Sequence, residues 1–100
     1  MISQLRTYTV NKGQMDQWVK HFVEVLMPLI REQDITLNGV WVSEDKTQFI
    51  WIRSFEDAED MNKKEAALWG TAKWGSVVDY TRSFLASQTV KIMEPVSLEK

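Results

Sequence analysis

Three side chains carry the chemistry that this sequence offers: Arg6 and Tyr8, two residues apart near the start, and Arg53 in a later apolar run. A spacing of two puts Arg6 and Tyr8 on one face of an extended strand. A guanidinium held in an apolar pocket is a fixed, permanently charged donor, suited to a carboxylate, an enolate or a phenolate. The competing reading is that each arginine pairs with a nearby Glu or Asp, or carries its head to solvent.

Tryptophan is the second feature, with five in 100 residues. Trp41, Trp51, Trp69 and Trp74 offer flat walls for a planar ligand. They serve equally well as packing for a core and a subunit interface. Trp69 and Trp74 flank Gly70, where a helix break would leave a loop able to gate a pocket, so this pair is the better placed for ligand contact. The candidate ligand-binding set is therefore Arg6, Tyr8, Trp51, Arg53, Trp69 and Trp74, with no catalytic residue, metal or cofactor assigned.

His21 is the single histidine and titrates nearest neutrality, which makes it the obvious acid or base. Helical spacing sets it beside Trp18 and Glu24, off the centre of the apolar stripe, so a solvated surface position is expected. Glu56, Asp57, Glu59 and Asp60 open a helix, where the helix dipole accounts for acidic residues. Asp79-Tyr80 reads as an acid/base pair near the sheet edge or equally as a surface pair at a helix end. No nucleophile elbow, phosphate-binding glycine loop or metal signature is present.

Composition narrows the classes further. One hundred residues make one domain, spanning 1–100, and bury only about two-thirds of the surface of the unfolded chain. Self-association would add to that burial. With 44% hydrophobic and 26% charged residues, four Gly and two Pro, disordered and collagen-like classes are excluded. Net charge is −2 and Lys63-Lys64 is the one basic pair, so no face is built to neutralise phosphates and no nucleic-acid partner is expected. The absence of Cys removes disulfides, thiolate nucleophiles and iron–sulfur sites. Met1–Val10 alternates where a signal peptide would run apolar, and no stretch has the length of a membrane span. A cytoplasmic protein with no membrane partner is expected.

The elements that must position these residues follow from periodicity. Ile2, Gln4, Arg6, Tyr8 and Val10 share one face of a first strand; Ser3, Leu5, Thr7 and Thr9 share the other. Asn11-Lys12-Gly13 supplies a turn. From Met15 the spacing becomes helical, with Trp18, Val19, Phe22, Val25, Leu26, Leu29 and Ile30 in a broad stripe ending near Gln33 or Asp34. Pro28 should bend or interrupt its last turns. Leu37–Ser43 and Gln48–Phe55 form a hairpin across Glu44-Asp45-Lys46-Thr47. Asp57 or Ser54 caps a second helix, Glu56–Leu68, burying Ala58, Met61 and Leu68. Gly70 breaks it, and Ala72–Tyr80 continues as a short helix. Leu85–Val96 alternates again, with Leu85, Ser87, Thr89, Lys91 and Met93 on one side, a bulge expected, and Pro95 closing it.

The order β-α-β-β-α-β predicts an α+β, ferredoxin-like domain, with a four-stranded antiparallel sheet and helices on one face only. Both sheet faces carry large apolar groups, Phe49 and Trp51 against Ile50 and Ile52. A monomer would expose an apolar patch, and stacking two sheets about a two-fold axis covers it. A homodimer, a dimeric α/β barrel, is expected.

Leu5-Arg6-Thr7-Tyr8-Thr9 followed by Lys12-Gly13 resembles the opening of NIPSNAP domains. Met27-Pro28-Leu29 resembles that family's Pro-containing first helix, and Gly39-Val40-Trp41 its second strand. Trp51-Ile52-Arg53-Ser54-Phe55-Glu56-Asp57 resembles its third strand and the entry to the next helix. Ala72-Lys73-Trp74 is similar to its acidic-x-Trp segment, and Lys91-Ile92-Met93-Glu94-Pro95 to its closing strand. Asp34-Ile35 departs, standing where relatives often place glycines. The resemblance implies a dimeric α/β barrel and little chemistry, since the wider superfamily hosts oxygenases, haem degraders, dehalogenases, isomerase-like enzymes and stress proteins. Three functions follow as expectations: a dimer binding a small planar or anionic metabolite between sheet and helices; a cofactor-free monooxygenase or isomerase; or a structural dimer without ligand.

Overall fold

A computed structural model describes residues 1–99. Strands β1 (Ile2–Val10), β2 (Thr36–Val42), β3 (Gln48–Phe55) and β4 (Leu85–Met93) form one antiparallel sheet in the order β2-β3-β1-β4. The expected alternation holds through the register. Gln4 lies opposite Arg53, Arg6 opposite Trp51 and Tyr8 opposite Phe49, and directly opposed residues share a face. That face meets the helices.

Helix α1 covers it in three parts: α-helical Met15–His21, a π turn over Phe22–Leu26, and α-helical Met27–Glu32. The interruption expected from Pro28 falls in the turn just ahead of it. Proline has no N–H, and its ring collides with the carbonyl four residues back. The chain widens ahead of it, with Met27 N–H reaching Phe22 O, five residues away. The apolar stripe still meets the sheet. Trp18 and Phe22 are fully buried, with ring centroids 5.6 Å and 4.7 Å from Phe49.

Helix α2 (Ala58–Trp69) starts two residues later than expected, because Asp57 is its cap: Asp60 N–H donates to Asp57 Oδ1 at 2.7 Å. Ala58 is exposed, not buried, and the buried positions are Met61, Glu65 and Leu68. Helix α3 (Ala72–Ser83) runs three residues further than expected. Gly70 and Thr71 separate the two helices; the Thr71 hydroxyl donates to Leu68 O at 2.8 Å and accepts from Trp74 N–H at 3.1 Å.

The expected bulge falls at Ala86. Thr9 pairs with Ser87 but Val10 with Leu85, so the extra residue returns Leu85 to the helix side, away from Ser87, Thr89, Lys91 and Met93. The strand ends at Met93, short of Pro95. After α1, Asp34 takes φ 58°, the left-handed conformation that a glycine would adopt with less strain. Lys64 Nζ donates to its carbonyl at 2.9 Å.

No helix covers the other sheet face among the described residues. The register places Leu5, Ile50, Ile52, Trp41 and Met93 there. Trp41 lies back over Gly39, where an added Cβ would come within 2.4 Å of its ring. No helix is long and apolar enough to cross a membrane among the described residues.

Candidate functional site

On the helix-facing side, β1 and β3 bring Arg6 and Arg53 together. Their meeting partner is Glu65, which reaches down from α2. Arg53 Nη2 and Arg6 Nη2 both donate to Glu65 Oε2, the latter at 3.3 Å. Gln4 completes the group: its Oε1 accepts from Arg53 Nε at 2.8 Å and Arg6 Nε at 3.0 Å, and its Nε2 donates to Glu65 Oε2 at 3.2 Å. Arg6 Nη1 donates to Tyr8 Oη at 3.0 Å. The two readings of the arginines thus coexist, since both pair with an acid and both border a cavity.

Two guanidiniums against one carboxylate leave this buried cluster with a formal charge of +1. Burial, then the neighbouring Arg6, push the Arg53 guanidinium down to about 10, with Glu65 and Tyr8 pulling it back up. It remains charged at neutral pH. Trp51 lies beneath both arginines, with their Cζ atoms 5.5 Å and 5.3 Å from its ring centroid. Its Nε1 is buried without a hydrogen-bond partner among the described residues.

The cavity beside this cluster has a volume of about 150 Å³ and is bordered by Arg6, Tyr8, Trp51, Arg53, Trp69 and Trp74, the six residues singled out from the sequence. Phe22, Leu26, Leu29 and Ile30 from α1 close one wall, and Leu68, Thr81, Arg82, Leu85 and Gln88 complete it. Trp69 is about half exposed and stands at the rim. Trp41 belongs to the opposite sheet face and takes no part.

His21 is not the solvated residue expected. It is 7% exposed, because α3 lies across it: its ring stacks on Phe84 with centroids 5.9 Å apart and meets Tyr80 edge-on at 5.0 Å. Its Nε2 is 2.8 Å from Thr81 Oγ1. The Thr81 hydroxyl donates to Val77 O at 2.8 Å, so Nε2 carries the ring hydrogen and donates to Thr81. Burial, with the positive charge of Lys73, holds the imidazole below its ordinary value of 6.5. Tyr80 thus packs on His21, and its sequence neighbour Asp79 is exposed.

Glu65 and Gln4 are the members of the site that motif reading passed over. Glu65 follows Met61 by four residues and precedes Leu68 by three, so it sits inside the buried stripe of α2. A carboxylate in that position demands a buried cation, and that was the available signal. Gln4 lies two residues before Arg6 on the same strand face.

The topology and the one-sided helices define a ferredoxin-like α+β domain of the kind found in antibiotic biosynthesis monooxygenases. The oxygenase SnoaB from Streptomyces nogalater, which is cofactor-independent, superposes with a TM-score of 0.73 at 11% identity, over 99% of this chain and 97% of that one. Closer in shape is an uncharacterised NIPSNAP domain protein from Burkholderia xenovorans, with a TM-score of 0.90 at 17% identity, over 100% and 99% of the two chains. A NIPSNAP family protein of unknown function from Agrobacterium tumefaciens gives 0.91 at 22% identity, over 99% and 91%. The NIPSNAP sequence profile matches residues 3–99, and the chain belongs to that family. A search of curated proteins found no match.

Proposed function

We propose that a cytoplasmic homodimer of this chain binds a small planar, anionic metabolite in the cavity between sheet and helices. The observation that carries this reading is the surplus positive charge of Arg6 and Arg53 over Glu65 beside an aromatic cavity. Burying an uncompensated cation is costly, and a bound anion would offset that cost. Arg53 or Arg6 orients the anionic group, while Tyr8, Trp51, Trp69 and Trp74 enclose the flat body. The dimer is supported by the uncovered sheet face, where Leu5, Ile50 and Ile52 are half-buried and Trp41 is about half exposed. The oxygenase or isomerase reading needs a proton acceptor at the substrate, and no carboxylate or imidazole borders the cavity among the described residues.

Native mass spectrometry of freshly purified protein tests both parts. The expected result is a dimer mass with a discrete small adduct that is lost from an Arg53→Gln variant. A monomer mass would overturn the dimer. An adduct unaffected by the substitution would overturn the assigned site.

A further inference from the structure

Resting on the proposed ligand-binding role, the geometry points to a narrower class: we propose that the occupant is a single-ring aromatic carboxylate carrying one negative charge, a benzoate-like acid. Size sets the ring count. Pockets for drug-sized ligands run to roughly 300–1,000 Å³, whereas about 150 Å³ is the size of cavity that takes one benzene ring. Two fused rings would have to displace a wall or protrude past Trp69 at the rim.

The hydrogen-bonding inventory sets the head group. Tyr8 Oη accepts from Arg6, which leaves its own O–H to donate, and no acceptor for it exists among the described residues. Arg53 is 2% exposed, yet its Nη1 makes no hydrogen bond there; its Nε and Nη2 are held by Gln4 and Glu65. Trp51 Nε1 also lacks an acceptor among the described residues, but it is fully buried and offers the cavity no donor. A site with donors to spare selects a group that only accepts, and an ionised carboxylate is that group. Arg82 also borders the cavity but is exposed, so its charge is solvated, and the buried surplus of +1 matches one such group. The aromatic lining does the rest: Tyr8 and Trp51 stand edge-to-face with centroids 6.1 Å apart, and a planar ring fits such walls better than a puckered one.

Calorimetric or NMR titration of the full chain with benzoate, benzamide, phthalate and 1-naphthoate tests this. Benzoate is expected to bind at least about tenfold tighter than its neutral isostere benzamide, with phthalate and naphthoate weaker than benzoate. Arg6→Gln brings the cluster to neutrality while keeping the Arg53–Glu65 pair, so benzoate affinity should fall to that of benzamide and benzamide should be unaffected. Tyr8→Phe, which keeps the ring, serves if that variant does not fold, and should weaken benzoate about threefold or more. Equal binding of benzoate and benzamide overturns the anion class and leaves a small-molecule site standing. Tighter binding of naphthoate overturns the single ring. Failure of all four to bind at about 10 mM overturns the benzoate-like class, and a native mass spectrum with no adduct would then overturn the ligand-binding reading as well.

Discussion

Replacing Glu65 by Gln isolates the electrostatic role of the cluster. The substitution keeps the shape of the side chain and one carbonyl acceptor but takes the buried charge from +1 to +2. Removing one partner of a buried ion pair costs roughly 3–5 kcal/mol, because the remaining charge is left without compensation. Here the side chains of Arg6 and Glu65 are each 11% exposed, so some solvent reaches the pair and the lower end, about 3 kcal/mol, applies. For a domain of this size each kcal/mol moves Tm by about 4–8 °C, which places the expected drop near 15 °C. Thermal denaturation followed by circular dichroism measures it, at fixed protein concentration because a dimer's stability depends on concentration. Glu59→Gln, exposed in the first turn of the same helix, is the control and should cost no more than about 1 kcal/mol, the helix-dipole contribution of one exposed acid. If Glu65→Gln is as stable as Glu59→Gln, the arginines are not neutralised by Glu65 and the charge argument fails.

Two further outcomes are expected. His21 has a folded value held below 6.5 by burial and Lys73, so the unfolded chain binds more protons just below that pH. Stability is therefore full above about 6.5 and falls as pH drops through the window beneath it; His21→Gln should flatten that part of the stability–pH curve, and an unchanged slope would assign it to other groups. On the uncovered sheet face, Ile52→Lys places a charge where two sheets would stack, and sedimentation velocity should show a monomer with native circular dichroism. A dimer that survives this change would have to use another surface.

Much of the fold was legible because strand and helix periods differ so clearly here. The run from Ile2 to Val10 is rich in β-branched and aromatic residues and reads as a strand even though Gln4, Arg6 and Leu5 break its apolar alternation, and the stripe from Met15 to Ile30 has helical spacing. Four of the six cavity residues emerged from the strand period, since β1 and β3 put Arg6, Tyr8, Trp51 and Arg53 on one face; Trp69 and Trp74 emerged from their place on either side of Gly70. What escaped depended on contacts between distant segments. His21 looked peripheral on its own helix and is buried only because Tyr80 and Phe84, about sixty residues later, close over it. Glu65 looked like any helical glutamate until the arginines beneath it were in place. The π turn follows from Pro28, whose missing N–H and ring disturb the turn ahead of it, yet no residue pattern says whether that turn will bend or widen.

That turn divides α1 into two half-helices whose angular phases are set separately. One residue corresponds to about 100° of helical rotation, and the five residues Phe22–Leu26 hold the offset between the halves. The downstream half aims Leu29 and Ile30 at the cavity, while the upstream half aims His21 at Thr81. Loss of one residue within the turn, Val23 for instance, would swing Trp18 and His21 around the helix axis while leaving Leu29 and Ile30 in place. The count of residues in the turn, and not their hydrophobicity, thus decides whether the cavity wall and the bed for α3 are built from the same helix.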